Sequence, residues 1–334
     1  MKVNRPPLAV EIQLEAANRL GIRARIVDPD YGYLFELEKD GRKRLMLGGR
    51  SPLNDAVAAR LAEDKFYAGM LLAEAGYRSP ESVRCLSPYH FENTEYNERA
   101  GRGPGLEFAA SRGYPLVVKP NRLSHGRGVR VVRSRDELID AVEAVWKLDS
   151  VALVQVLVEG TDLRLDFLDL PEGDAFLLGY RRSPLLLEGD GKRTLRELLV
   201  AVDPRADGAE FWSTAQESSA WQREVAALGR DGDSVLASGA RVLLGSEVLN
   251  LHRLATATLI EDLSPSWRRH GLGIGRSLGL RHFGIDLKAP DDEDPATSTV
   301  IEVNASPLLS QIYRMGHKEI ALRCQMRVLA GCFS

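Results

Sequence analysis

Three side chains near the C-terminus have the types and spacing for cation chemistry. In Val300-Ile301-Glu302-Val303-Asn304, apolar Ile301 and Val303 alternate with Glu302 and Asn304. That is strand patterning, and it projects Glu302 and Asn304 from one face. Upstream, Phe283-Gly284-Ile285-Asp286-Leu287-Lys288 reads as a second strand, with Asp286 between apolar neighbours. A carboxylate buried beside an amide oxygen is costly unless a cation or donor compensates it. Two carboxylates and an amide oxygen on neighbouring strands form a hard-oxygen set suited to Mg²⁺, which takes its other ligands from water and substrate phosphates. For any one of these residues alone, a strand position facing solvent is the plainer reading.

A second constellation lies mid-chain. Tyr114-Pro115-Leu116-Val117-Val118-Lys119-Pro120 reads as a buried strand ending in a lysine. Asn121-Arg122-Leu123-Ser124-His125-Gly126-Arg127-Gly128-Val129 follows, then a short strand at 130–132. A strand–loop–strand with lysine at its start and glycines at its tip can fold backbone N–H groups and cations over phosphates. It is not a Walker A loop, because no Gly-Lys-Ser/Thr precedes a helix. An ordinary hairpin with a surface lysine is the competing reading.

Periodicity supplies the scaffold for these residues. Leu8, Ile12, Ala16 and Leu20 share a helical face that Gly21 can end, and 23–27 reads as a short strand. Asp40-Gly41 can turn a hairpin. Gly48-Gly49-Arg50-Ser51 marks a boundary, after which 53–75 is helical up to Gly76. The Asp64-Lys65 pair within it reads, by itself, as a solvated helix face. Residues 92–105 read as a surface loop. Ser134 with Glu137, and Thr194 with Glu197, have capping-box spacing. Residues 151–158 form a mostly apolar strand, and Glu159-Gly160 turns it into alternating 162–168. That strand end offers free backbone groups of the kind that bind a purine edge; a plain core hairpin is the alternative. Tyr180-Arg181-Arg182-Ser183-Pro184 is placed after another strand, and 203–235 receives no function. Gly271, Gly273 and Gly275 do not fit GxGxxG spacing. They predict a closely packed helix, since each glycine costs about 1 kcal/mol against alanine.

With 334 residues, 44% of them hydrophobic, the chain can bury a large core in two or three lobes. A formal net charge of -3 with 27% charged residues argues against a nucleic-acid partner. No apolar run approaches the ~18 residues of a membrane span, and the N-terminus lacks a signal-peptide core, so no membrane partner is expected. Cys85, Cys324 and Cys332 are few, odd in number and not spaced for zinc, which points to a reducing cytoplasm. Homo-oligomerisation is left open.

Taken in order, the motifs AEDKFYAGMLLAEAGYRSP, YPLVVKP, SHGRGV, VEGTDLRL, YRRSP, GDGKRTLRELL, GIDLK and IEVNASP resemble the ATP-grasp superfamily. Within it they are similar to the cyanophycin-synthetase-like and bifunctional-glutathione-synthetase-like carboxylate–amine ligases. The resemblance implies an α/β (α+β) fold in which two α+β lobes grip ATP. A small truncated N-terminal α/β module at 1–60 would precede an ATP-grasp domain at 61–334, with lobes at about 77–155 and 156–334.

It also implies roles. Lys119, Arg164 and Arg182 would be the catalytic cations, and Lys65 would join Lys119 on the nucleotide phosphates. Ser124, His125, Gly126, Arg127 and Gly128 match the flap over the triphosphate. Gln155, Val156 and Val158 match the adenine-reading segment, with Asp162 counted among the nucleotide residues. Asp286, Glu302 and Asn304 match the Mg²⁺ ligands, a site that Mn²⁺ can also fill. The implied activity joins small amino acids or peptides through an acyl-phosphate, releasing ADP and phosphate. A degenerate relative that binds nucleotide as a regulatory or partner subunit is the alternative. The sequence departs from the family where Gln155 replaces the usual Glu, at 253–258, and at Pro307-Leu308, so substrate identity does not carry over.

Overall fold

The computed structural model describes residues 6–91, 94–95, 100–208, 212, 225–226, 231–244, 251, 255–291 and 293–334. The chain opens with α1 (Leu8–Arg19), β1 (Arg23–Ile26), β2 (Leu34–Lys39) and β3 (Arg42–Leu47), then α2 (Ala56–Glu63) and α3 (Lys65–Glu74). Next come β4 (Ser82–Leu86), α4 (Pro88–Phe91), α5 (Gly103–Arg112), β5 (Leu116–Pro120), β6 (Arg130–Val132), α6 (Arg135–Trp146) and β7 (Val151–Val156). The remainder is β8 (Thr161–Leu168), β9 (Phe176–Glu188), α7 (Leu195–Val202), β10 (Arg241–Leu244), β11 (Ala255–Ile260), α8 (Pro265–Ser277), β12 (His282–Ala289), β13 (Thr299–Asn304), α9 (Ser310–Arg314) and α10 (Lys318–Gly331).

The N-terminal strands form a three-stranded antiparallel sheet in the order β1-β2-β3. Asp40 and Gly41 take φ of 49° and 73°, the left-handed pair that a two-residue hairpin requires. Its apolar side, with Phe35 and Leu37, packs with Val10 and Ile12 against Leu322, Leu329 and Phe333 from the far end of the chain. The helix expected over 53–75 is two helices. Asp64 sits at φ -95°, ψ 97° and accepts a hydrogen bond from Tyr67 N, so it ends α2 and caps α3.

A four-stranded antiparallel sheet follows, ordered β4-β7-β5-β6. One face buries Leu116, Val118, Ala152 and Val154 against Phe108, Leu138 and Val142 of α5 and α6. The alternation leaves Val117, Lys119, Leu153 and Gln155 on the other face. The loop expected at 92–105 gives way to helix from Gly103. The first capping box is only half formed: Ser134 accepts from Glu137 N, but the Glu137 carboxylate accepts from Arg133 N instead. The second, Thr194 with Glu197, is complete.

The six-stranded sheet runs β10-β9-β8-β12-β13, with β11 also on β9. Tyr180–Pro184 lies inside β9 rather than after it, because that strand is 13 residues long. On the apolar face Leu163, Leu165, Phe167, Phe283 and Ile285 pack against α8. The glycines of α8 are there for contact: a Cβ at Gly271 would overlap the Phe167 ring, one at Gly275 the Phe283 ring, and one at Gly273 the Tyr77 hydroxyl. Among the described residues, no helix is long and apolar enough to cross a membrane.

Candidate functional site

The site is built on the opposite, polar face of that sheet. Strand β8 turns Leu163, Leu165 and Phe167 into the core, so Asp162, Arg164 and Asp166 share the other side. Antiparallel register sets each in a row. Asp162 stands between Arg182 and Lys288, Arg164 between Tyr180 and Asp286, and Asp166 between Leu178 and Gly284. Strand β13 adds Glu302 beside Asp286 and Asn304 beside Gly284.

Charges alternate across these rows and pair. Arg182 Nε binds Asp162, its Nη2 lies 2.8 Å from Asp286 Oδ1, and Lys288 Nζ lies 3.1 Å from Asp162 Oδ2. Arg164 donates from Nε to Asp166 Oδ1 at 2.6 Å and from Nη1 to Asp286 Oδ2 at 2.9 Å. It lies across residue 284 because that residue is glycine: a Cβ there would overlap Arg164 Nη2 and Asp166 Oδ1. Burial works against ionisation of Asp286, but Arg164 and Arg182 outweigh it and hold the carboxyl below its usual range. Burial likewise pushes the Tyr180 hydroxyl up.

The oxygen set expected for Mg²⁺ is assembled here. Asp286 and Glu302 are register partners, and Asn304 Nδ2 donates to Asp286 Oδ2 at 3.0 Å, leaving the amide oxygen without a donor among the described residues. Asp286 Oδ1 is buried and accepts no well-directed hydrogen bond, although Arg182 lies 2.8 Å away. A carboxylate oxygen with an ion pair but no directed hydrogen bond, beside a second carboxylate and an amide oxygen, fits Mg²⁺ or Mn²⁺. The set holds only two carboxylates. Among the described residues, no three His, Cys, Asp or Glu side chains cluster for a metal.

A cavity of about 350 Å³ opens between α3, the free face of the four-stranded sheet and β13, lined by Lys65, Lys119, Gln155 and Glu302 among others. Lys119 is 5% exposed. Burial, then the nearby Lys65, push its ammonium down to about 8, against the pull of Glu302 and Asp286. Among the described residues it makes no ion pair, and its Nζ reaches only the Ile301 carbonyl at 3.5 Å. A buried cation without a counter-ion attracts an anion such as phosphate. The Gln155 side chain is also buried in this cavity, and its amide has no partner among the described residues.

Asp64-Lys65 is not a solvated face. Asp64 is buried and accepts from Arg122 Nε and Nη2 at 3.1 and 3.0 Å. Phe66 N donates to Asn121 Oδ1 at 3.1 Å, and Lys65 Nζ donates to Leu123 O at 2.7 Å while lying 3.2 Å from Glu302 Oε1. The pair clamps the root of the 121–129 loop. Within that loop His125, Gly126 and Gly128 take φ of 61°, 66° and 73°, so the backbone coils through left-handed turns that glycine adopts without strain. Partial desolvation by its neighbours lowers the His125 imidazole, although the residue keeps an exposed surface, and Glu302 opposes that shift.

Lys65, Lys119, Gln155 and Glu302 therefore meet in one cavity, while Arg164, Arg182, Asp286 and Asn304 lie on the sheet's polar face. Val156 and Val158 line an adjoining groove with Tyr77 and Arg78. Asp162 gives its two oxygens to Arg182 and Lys288. Ser124, His125 and Arg127 are exposed, and with Gly126 and Gly128 they line neither hollow. Sequence reasoning did not single out Asp166, Tyr180, Asn121 or Arg122. The two-residue spacing from Asp162 through Arg164 marks Asp166; nothing local marks Arg122.

The family described as D-ala D-ala ligase C-terminus matches residues 90–181, a span that holds Lys119, Gln155 and Arg164 but stops before Asp286. The glutathione biosynthesis bifunctional protein GshAB of Mannheimia succiniciproducens is 24% identical over 317 residues, 90% of this chain and 39% of that protein. The cyanophycin synthetase of Geminocystis herdmanii is 27% identical over 210 residues, 58% of this chain and 23% of that one. The chain thus spans well under half the length of these curated relatives. A bifunctional glutathione synthetase structure from Pasteurella multocida aligns with TM-score 0.59 and 19% identity over 96% of this chain and 44% of that one. The VanG D-Ala:D-Ser ligase structure from Enterococcus faecalis aligns with TM-score 0.50 and 16% identity over 84% of this chain and 64% of that one. In fold and in sequence the chain is thus similar to the ATP-grasp carboxylate–amine ligases.

Proposed function

We propose that the chain is an ATP-dependent ligase that joins the carboxylate of one amino acid or peptide to the amine of another, working in the cytoplasm. We assign the grip on ATP to residues 61–334, with 1–60 as an appended module. The observation that supports this most is Lys119: a buried ammonium that makes no ion pair among the described residues, in the same cavity as Glu302 and the Lys65 clamp. Phosphates would supply the missing anion, and Lys65 would hold the loop root over them. Val156, Val158 and Gln155 would take the adenine. Arg182 and Arg164 would neutralise charge on the transferring phosphoryl and the acid.

In the first step a carboxylate oxygen attacks the γ-phosphorus, ADP leaves and an acyl-phosphate forms. In the second the amine attacks the acyl carbon, loses a proton, and phosphate leaves. Asp286, Glu302 and Asn304 would hold Mg²⁺, which supplies charge neutralisation at the phosphates. The chain's own task is positioning and exclusion of water.

A second reading, a protein that binds nucleotide without turnover, is favoured by one fact: Asp286 already has an arginine within 2.9 Å of each oxygen. Product analysis separates the two. Pairs of amino acids and short peptides should include one that releases ADP and phosphate in equal amounts with each amide bond. AMP and pyrophosphate as stoichiometric products would overturn the mechanism, and nucleotide binding without any acid- and amine-dependent ADP release would leave the second reading.

A further inference from the structure

Asp166 is 2% exposed, and its row on the sheet holds no cation: Leu178 and Gly284 flank it, with Asn304 beyond Gly284. A carboxylate in such a place is costly unless compensated. Its compensation is Arg164, which it holds from two residues away on the same strand at 2.6 Å. That arginine is also 2.9 Å from Asp286, so a single guanidinium is shared between a carboxylate that faces the expected metal and one that does not. Gly284 provides the room, since any Cβ would displace both Arg164 Nη2 and Asp166 Oδ1. Nothing else in the network offers Arg164 a second anion: Asp162 is taken by Arg182 and Lys288, and Glu302 pairs with Lys65.

We propose that Asp166 is a positioning residue that anchors Arg164 so that Asp286 can exchange an arginine for a divalent cation. The inference rests on the ligase reading only in taking Asp286, Glu302 and Asn304 as the cation's ligands. With Asp166 in place, Arg164 keeps a full ion pair when the cation arrives at Asp286. Without it, Arg164 has Asp286 as its sole carboxylate, and the cation must break a buried ion pair that leaves an uncompensated guanidinium. Asp166 therefore acts on the metal through Arg164 and touches neither metal nor substrate.

The test is Mn²⁺ binding in the presence of ADP, read as free Mn²⁺ by electron paramagnetic resonance, with no turnover involved. Asp166→Asn keeps the shape and removes the charge, and should bind Mn²⁺ about tenfold more weakly, in line with the loss of other outer-shell partners of metal ligands. Adding Arg164→Met to that variant should restore affinity to the wild-type level or beyond, because Asp286 then faces only Arg182, which keeps Asp162 as its second anion. Should Asp166→Asn fail to fold, Gly284→Ala, which displaces the same pair, should weaken Mn²⁺ in the same direction. Mn²⁺ affinity within twofold of wild type in a folded Asp166→Asn protein, or a loss that persists without Arg164, would overturn the inference alone. A wild-type protein that binds neither Mn²⁺ nor ADP would overturn it together with the ligase reading.

Discussion

Lys65 Nζ lies 3.2 Å from Glu302 Oε1 and donates to the Leu123 carbonyl at 2.7 Å, so one ammonium ties the root of the 121–129 loop to the strand that carries the metal-ligand candidates. The two groups come from opposite ends of the chain. Their contact makes the loop and the carboxylates one electrostatic unit: a change in the charge at Glu302 reaches the loop through Lys65.

The first prediction uses that coupling. Glu302→Gln retains strand shape and removes one charge, and Glu302 is partly exposed, so the fold should persist with little change in melting temperature. Acid- and amine-dependent ADP release should fall about 100-fold or more, as for loss of a transition-state electrostatic group. Asp286→Asn should do the same, with a larger stability cost because Arg164 and Arg182 lose their shared anion. Near-normal turnover in both variants at modest Mg²⁺ would remove them from the metal site.

A second prediction concerns packing behind the site. Gly275 meets the Phe283 ring with no room for a Cβ, and Phe283 is a fully buried residue of β12. Gly275→Ala should destabilise the protein by about 1–3 kcal/mol, the usual cost of overpacking, although alanine is the better helix former. Denaturant unfolding measures it. A stabilised Gly275→Ala protein would show that α8 can shift away from the sheet.

The site's residues were legible in proportion to how local their signal is. A period of two in 283–288 and 300–304 placed Asp286, Glu302 and Asn304 on strands, and β12–β13 pairing then made them neighbours. The glycines of α8 announced close packing because their helix cost needs a reason. The charge rows were not legible. Arg164 meets Asp286 only through register between strands 122 positions apart, and a one-residue slip would send every one of these side chains to the other face. Asp64 was misread for a related reason: its role depends on Arg122, a partner 58 positions away. The packing of α1 and the first sheet on α10 likewise joins chain ends that no local pattern connects.

Gln155 yields a third prediction, about the base. A side-chain amide offers one donor and one acceptor, which matches the N7 acceptor and N6 amino group of adenine. A carboxylate at this position would only accept. Replacing ADP by 7-deaza-ADP should therefore weaken binding to the wild type by roughly tenfold, the value of a lost hydrogen bond. Gln155→Glu should bind ADP and its 7-deaza form alike. Equal affinities for the two nucleotides in the wild type, measured by calorimetry, would place the amide elsewhere.

The fourth prediction follows from Lys119, whose ammonium burial holds at about 8 against an ordinary 10.5. Between those values the unfolded chain binds more protons at this residue than the folded one, so stability rises with pH across that window. Below pH 8 the lysine is charged in both states, and the cost of burying it is fully present. A bound phosphate reverses the balance by supplying the counter-ion and raising the lysine toward its ordinary value. ADP binding at pH 9 should therefore take up protons, visible as a dependence of the calorimetric heat on buffer ionisation enthalpy, and affinity should fall as pH rises past 8. Lys119→Met removes a desolvated cation. It should be at least as stable as the wild type at pH 7, bind ADP far more weakly, and lose the proton uptake. Affinity that stays constant from pH 7 to pH 9.5, or uptake that survives in Lys119→Met, would show that the phosphates are held by other groups than this lysine.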